Sequence, residues 1–136
     1  EATDEPTPRP DGSRGRSPHQ IICFTRPSPD LHARINVRVE EMFARGLVEE
    51  TRRLLDHGFA QNKTAMQAIG YRQVVEHLRG ERSLTETIEL VKIKTRQFAK
   101  RQLTWFRKYA SAQWIELKPG DSVLEICQRL SERDGI

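Results

Sequence analysis

Apolar residues recur along this chain with a helical period over most of its length. After Ser28-Pro29, a favourable helix start, Leu31, Ile35, Val39 and Met42 fall at i, i+4, i+8 and i+11 before Gly46. This spacing predicts an amphipathic helix. Leu47 to His57 repeats the pattern through Val48, Leu54 and Leu55 and stops at Gly58, so a second helix follows a tight glycine break. A third is predicted over Thr64 to Arg79, apolar at Met66, Ile69, Val74, Val75 and Leu78, interrupted by Gly70 and closed by Gly80. A mid-helix glycine is unfavourable, so Gly70 marks either a close approach of backbone or ligand, or a simple kink at a helix contact. Ser83-Leu84-Thr85-Glu86 is a capping box. It opens the longest periodic segment: Leu84, Ile88, Val91, Thr95, Phe98, Ala99, Gln102, Leu103 and Phe106. That segment is a rod of about 37 Å at about 1.5 Å per residue. Asp121 is placed to cap a last helix carrying Val123, Ile126, Cys127 and Leu130 on its apolar side.

Two short segments break this rhythm. Gln20 to Thr25 is an apolar, β-branched run ended by Pro27, which reads as a strand buried on both faces, as in parallel sheets. Gln113 to Leu117 reads as a second strand before the turn Pro119-Gly120. Two strands are too few for an independent sheet, which normally needs three or a covering helix. Residues 1–19, with Pro6, Pro8, Pro10 and Pro18 and almost nothing apolar, read as a disordered Pro/Ser/Arg-rich tail ahead of a folded region over 20–136. The expected class is α/β: mostly helical, with two short strands and about five helices, and part of something larger.

Composition narrows the field. At 136 residues the chain has room for one core. With 36% hydrophobic against 31% charged residues it holds no apolar run long enough to span a bilayer. Nothing at its start reads as a secretory signal, so a cytoplasmic location is expected. Cys23 and Cys127 make neither a disulfide framework nor a zinc site and read as small buried hydrophobes.

The net charge of +4 is concentrated: Lys92, Lys94, Arg96, Lys100, Arg101, Arg107 and Lys108 lie in a stretch, Leu90 to Ile115, that contains no Asp or Glu. On the predicted rod, Lys92, Arg96, Lys100 and Arg107 run opposite the apolar side. Lys94, Arg101 and Lys108 fall a heptad apart on an adjacent strip. Such a stripe is either a docking surface for a polyanion or a solvated helix face.

Self-sufficient catalysis is hard to find. There is no Gly-rich phosphate loop, no G-x-G-x-x-G after the first strand, no H-E-x-x-H and no Cys-x-x-Cys. His19, His32, His57 and His77 are scattered. Glu40-Glu41 and Glu49-Glu50 sit beside Arg38, Arg45, Arg52 and Arg53 and read as surface i,i+4 pairs. Lys100 to Arg107 is different, because it combines cations for phosphates, amide and hydroxyl groups for hydrogen bonds and Trp105 for stacking, the mixture by which RNA loops are read. Leu103 and Phe106 are expected in the core, and Trp105 is either buried beside them or free to stack.

The run Ala65-Met66-Gln67-Ala68-Ile69-Gly70-Tyr71, followed by Thr95-Arg96-Gln97-Phe98-Ala99-Lys100-Arg101-Gln102-Leu103-Thr104-Trp105-Phe106-Arg107, resembles the C-terminal part of the tRNA dimethylallyltransferases, or tRNA isopentenyltransferases. Leu31 to Glu50 fits the same family, and the likeness runs from about Ile21 to Leu117.

The resemblance implies a phosphate-loop NTPase-like parallel sheet with an added helical region that grips the anticodon stem-loop. The implied activity moves a dimethylallyl group from dimethylallyl diphosphate to the exocyclic amine of the adenine 3′ of the anticodon, with magnesium as the metal. Carried over by position, the implied tRNA-binding residues are Gln67, Ala68, Ile69, Gly70, Tyr71 and Arg72, and Lys100, Arg101, Gln102, Leu103, Thr104, Trp105, Phe106 and Arg107. Arg34, Arg38, Arg96 and Arg101 are candidates to neutralise the diphosphate.

The family's phosphate loop, catalytic acid and remaining strands have no counterpart here. No catalytic residue or metal ligand is therefore expected in this chain, and prenyl transfer is expected to require a missing N-terminal half. The alternatives are a stand-alone RNA-binding module and an inactive remnant.

Overall fold

The computed structural model describes residues 21–109 and 112–133, so the tail assigned to residues 1–19 lies outside them. Strand β1, Ile22–Thr25, is followed by helices α1, Ser28–Ala44, and α2, Leu47–Asp56. Two single 3-10 turns, Phe59–Gln61 and Ala65–Gln67, lead into α3, Tyr71–Leu78. The long helix α4 spans Leu84–Phe106, strand β2 spans Gln113–Glu116, and α5 spans Val123–Arg133. The α/β class, with five α-helices and two strands among the described residues, is as the sequence predicts.

The strands pair in parallel with Ile22 opposite Gln113 and Thr25 opposite Glu116, so β2 returns beside β1 after α1 to α4. Their faces differ from the expectation of burial on both sides. Cys23 and Ile115 are buried, whereas Ile22 and Phe24 are exposed, because no further layer covers that side among the described residues.

The core lies where α1 crosses α4. Ile35 and Val39 of α1 pack with Val91 of α4, and Leu31, Phe43, Ile69, Ile88 and Ala99 close around them. Helix α4 starts as its capping box requires: the Glu86 N–H donates to Ser83 Oγ (3.2 Å) and the Ser83 N–H to Glu86 Oε2 (2.9 Å). At α5 the expected cap is displaced by one residue. Ser122 exchanges the equivalent bonds with Glu125, while Asp121 accepts from the Lys118 N–H and pairs with Arg129. Cys127 is exposed rather than buried.

The region predicted as one helix over Thr64 to Arg79 is two pieces. Gly70 is not inside a helix but stands as the N-cap of α3, at φ 100° and ψ −66°. A Cβ there would meet only ordinary contacts, Leu47 Cδ2 at 3.9 Å and Met42 Cε at 4.0 Å. The glycine is therefore required by its left-handed backbone, not by a close approach.

Candidate nucleic-acid interface

The cations of α4 and of the turn after it, Arg107 and Lys108, divide into two sets. Lys92 is buried, and its ammonium donates to Glu40 Oε1 at 2.7 Å and Glu89 Oε1 at 2.8 Å, bonds that raise its pKa above 10.5. Arg96 donates to Asn36 Oδ1 at 2.6 Å. Both therefore face α1, correcting the expectation that they continue the solvent stripe, and Glu40 is an interhelix partner rather than a local surface pair. Lys94, Lys100, Arg101, Arg107 and Lys108 are exposed, and none has a carboxylate partner among the described residues.

Aromatic rings lie beside these free cations. Phe98 is 45% and Trp105 51% exposed, so Phe98 leaves the apolar side to which its spacing assigned it. The Arg101 guanidinium stands 5.8 Å from the Phe98 ring centroid. The Trp105 ring is braced edge-on by Phe106 at 4.8 Å and Tyr109 at 5.0 Å. Gln97, Lys100, Arg101, Thr104, Trp105 and Lys108 line a shallow basin of about 450 Å³. Thr104 holds its hydroxyl on the Lys100 carbonyl at 3.0 Å.

The two sequence motifs meet in space. A second recess, of about 540 Å³, brings Gln67, Ala68 and Ile69 to Phe98 and Arg101 of α4 and Arg38 of α1. Gln67 and Ala68 are exposed at its rim, whereas Ile69 packs on the core and Gly70 is buried. Tyr71 donates its hydroxyl to the Glu50 carboxylate, which keeps its pKa above 10.0, and its ring meets Phe59 edge-on at 5.4 Å. Arg72 is exposed but paired with Glu76 at 3.2 Å.

Of the diphosphate candidates, Arg38 and Arg101 share the recess, Arg34 is paired with Asp30 at 3.3 Å, and Arg96 is held by Asn36. Leu103 and Phe106 are half-buried in an apolar groove of about 410 Å³ between β1, β2 and α4, and Gln102 is exposed on its edge. Sequence reasoning missed Asn36, Glu50 and Gln73. Only Gln73 carried a signal, an amide three residues after a helix-starting glycine.

Among the described residues no three His, Cys, Asp or Glu side chains come together to hold a metal ion. The described residues therefore offer no ligand set that fits the magnesium implied by the resemblance. No helix among the described residues is long and apolar enough to cross a membrane.

A parallel strand pair beside crossed helices, with an exposed cationic and aromatic face on the longest of them, places the described residues in the α/β class. The chain belongs to the IPP transferase family, whose model matches residues 2–109. A tRNA dimethylallyltransferase of Clostridioides difficile is 42% identical over 106 residues, 78% of this chain and 34% of that protein. One from Acetivibrio thermocellus is 43% identical over 110 residues, 81% of this chain and 35% of that protein. The full-length tRNA isopentenylpyrophosphate transferase of Bacillus halodurans superposes with a TM-score of 0.77 at 36% identity, covering 85% of this chain and 38% of that one. The Staphylococcus epidermidis tRNA delta(2)-isopentenylpyrophosphate transferase gives 0.76 at 33%, covering 85% of this chain and 37% of that one. The chain thus spans about a third of the length of the relatives it matches.

Proposed function

We propose that this chain is the tRNA-gripping part of a tRNA dimethylallyltransferase. The whole protein transfers a dimethylallyl group from dimethylallyl diphosphate to the exocyclic amine of the adenine 3′ of the anticodon. One observation carries this reading: the cations of α4 without carboxylate partners among the described residues and the exposed Trp105 lie on the helix whose Arg101 also lines a recess with Gln67 and Ala68. The division of labour follows from chemistry. Lys100, Arg101, Arg107 and Lys108 hold loop phosphates, and Trp105 offers a face to an unstacked base. Gln67 and Ala68 border the recess beside the target nucleotide, which must leave its stack to react.

Arg38 and Arg101, together in that recess, neutralise charge on the departing diphosphate. The base that accepts the amine proton, the phosphate loop and the magnesium ligands come from the part of the family fold beyond these residues. The open apolar groove beside Leu103 and Phe106 supports this, since a parallel strand pair is normally covered on both faces.

Anisotropy with an RNA hairpin of the anticodon stem-loop type tests the grip. Lys100→Glu with Arg101→Glu is expected to weaken binding and flatten its salt dependence, and parental binding by the double variant overturns the site. Adding a separately expressed N-terminal portion of the family fold with dimethylallyl diphosphate tests the activity. RNA affinity with no prenyl transfer in that mixture favours a stand-alone binding module.

A further inference from the structure

The corner that carries Gln67 and Ala68 has no regular structure to hold it. It consists of one 3-10 turn, an extended Ala68 at φ −63° and ψ 132°, and Gly70 in a left-handed conformation. Ile69 fixes its middle by packing on Ile35, Val39 and Val91. Three bonds fix its exit: the Arg72 N–H donates to the Ala68 carbonyl at 3.2 Å, the Val74 N–H to the Gly70 carbonyl at 3.0 Å, and the buried Gly70 N–H to Gln73 Oε1 at 2.8 Å, the last being the side-chain bond among them. Gln73 is only 6% exposed and occupies the third position of α3, so it makes half of a capping box whose other half glycine cannot supply. Neither recess is lined by Gln73, so it has no direct path to a ligand.

We propose that Gln73 is a positioning residue for RNA recognition, holding the Gln67–Ala68 corner against Arg101 by accepting the Gly70 N–H. The inference rests on the tRNA-binding reading above. Without an acceptor the Gly70 N–H is left unsatisfied in a buried place. The corner then relieves it by rotating out to water, and the binding-competent arrangement becomes a fraction of the population. Apparent affinity falls by that fraction while the phosphate contacts of α4 stay as they are.

The test is hairpin RNA binding by the whole chain at a temperature where circular dichroism shows each variant folded. Gln73→Met keeps an unbranched side chain but has no such acceptor. It is expected to weaken binding about ten-fold with an unchanged slope of log Kd against log salt. Amide exchange is expected to quicken at Gly70 and Tyr71 while α1 and α4 stay protected. Gln73→Glu, which accepts the same N–H from the same helix position, is expected to restore affinity and slow exchange at Gly70.

Parental affinity in folded Gln73→Met overturns the proposal, and so does quickened exchange throughout the molecule, which marks a merely structural role. If Gln73→Met fails to fold, Gln73→Glu decides: weak binding or fast Gly70 exchange in that variant overturns the proposal. Lys100→Glu with Arg101→Glu serves as the control for the underlying reading. Loss of binding there with none in Gln73→Met rejects the positioning role alone, whereas no loss in either rejects both.

Discussion

Replacing the cations of α4 one at a time separates those proposed to face RNA from those that hold the fold. Lys92→Met keeps most of the apolar stem and removes the ammonium that bridges Glu40 and Glu89 at 2.7 and 2.8 Å. Those carboxylates are 60% and 59% exposed and rehydrate when released, so the loss is that of a partly screened pair, about 0.5–1 kcal/mol. Lys100→Met removes a cation with no carboxylate partner among the described residues and changes stability little.

On RNA the two variants exchange roles. Each phosphate contact contributes about 0.7 to 0.9 to the slope of log affinity against log salt. Lys100→Met is therefore expected to flatten the slope by about that amount, and Lys92→Met to leave it unchanged. The assay is hairpin anisotropy at several salt concentrations, with chemical denaturation alongside. The pH dependence has a definite sign: because folding raises the Lys92 pKa above 10.5, its contribution is full below that value and is lost as pH rises through the folded pKa. Equal flattening by Lys92→Met and Lys100→Met would refute the division of the helix into inner and outer cations.

Two further expectations follow. Gly70→Ala forces an L residue to φ 100°, where the conformational strain is about 1–3 kcal/mol, and is expected to lower the denaturation midpoint even though the site has room for a methyl group. Glu76 accepts from Arg82 and, at 3.2 Å, from Arg72; the Arg82 bond is the main cause of a pKa below its ordinary 4.5. Its contribution is present above 4.5 and lost as pH falls through the lowered value, so the acid limb of a stability profile should shrink in Glu76→Gln.

Local signals carried much of the fold. Ser83 with Glu86, the α1 spacing through Ile35 and Val39, and the concentration of charge on α4 are all encoded over a few residues, and each reads correctly. What the sequence misjudged depends on partners far along the chain. The i, i+4 spacing of Lys92 and Arg96 cannot reveal that Glu40 and Asn36, on another helix, claim them. Ile22 and Phe24 look like core by composition, yet burial requires a neighbouring layer absent among the described residues. Gly70 failed for a different reason: a helical period tolerates one glycine, and only the backbone angle separates an interruption from a new beginning. The candidate interface was legible as a list of residues, but the meeting of Gln67 with Arg101 was not, since it depends on how α1, α3 and α4 cross.

The register that sets Ile22 against Gln113 also has a kinetic meaning. Contacts so distant along the chain must close a large loop, which is slow compared with forming a helical hairpin. The helices are thus expected to assemble first and bring the two strand segments together as a late step. Joining of the ribbon is then the moment at which the fragment acquires a sheet edge able to template further strands, so the order of assembly is written into its topology.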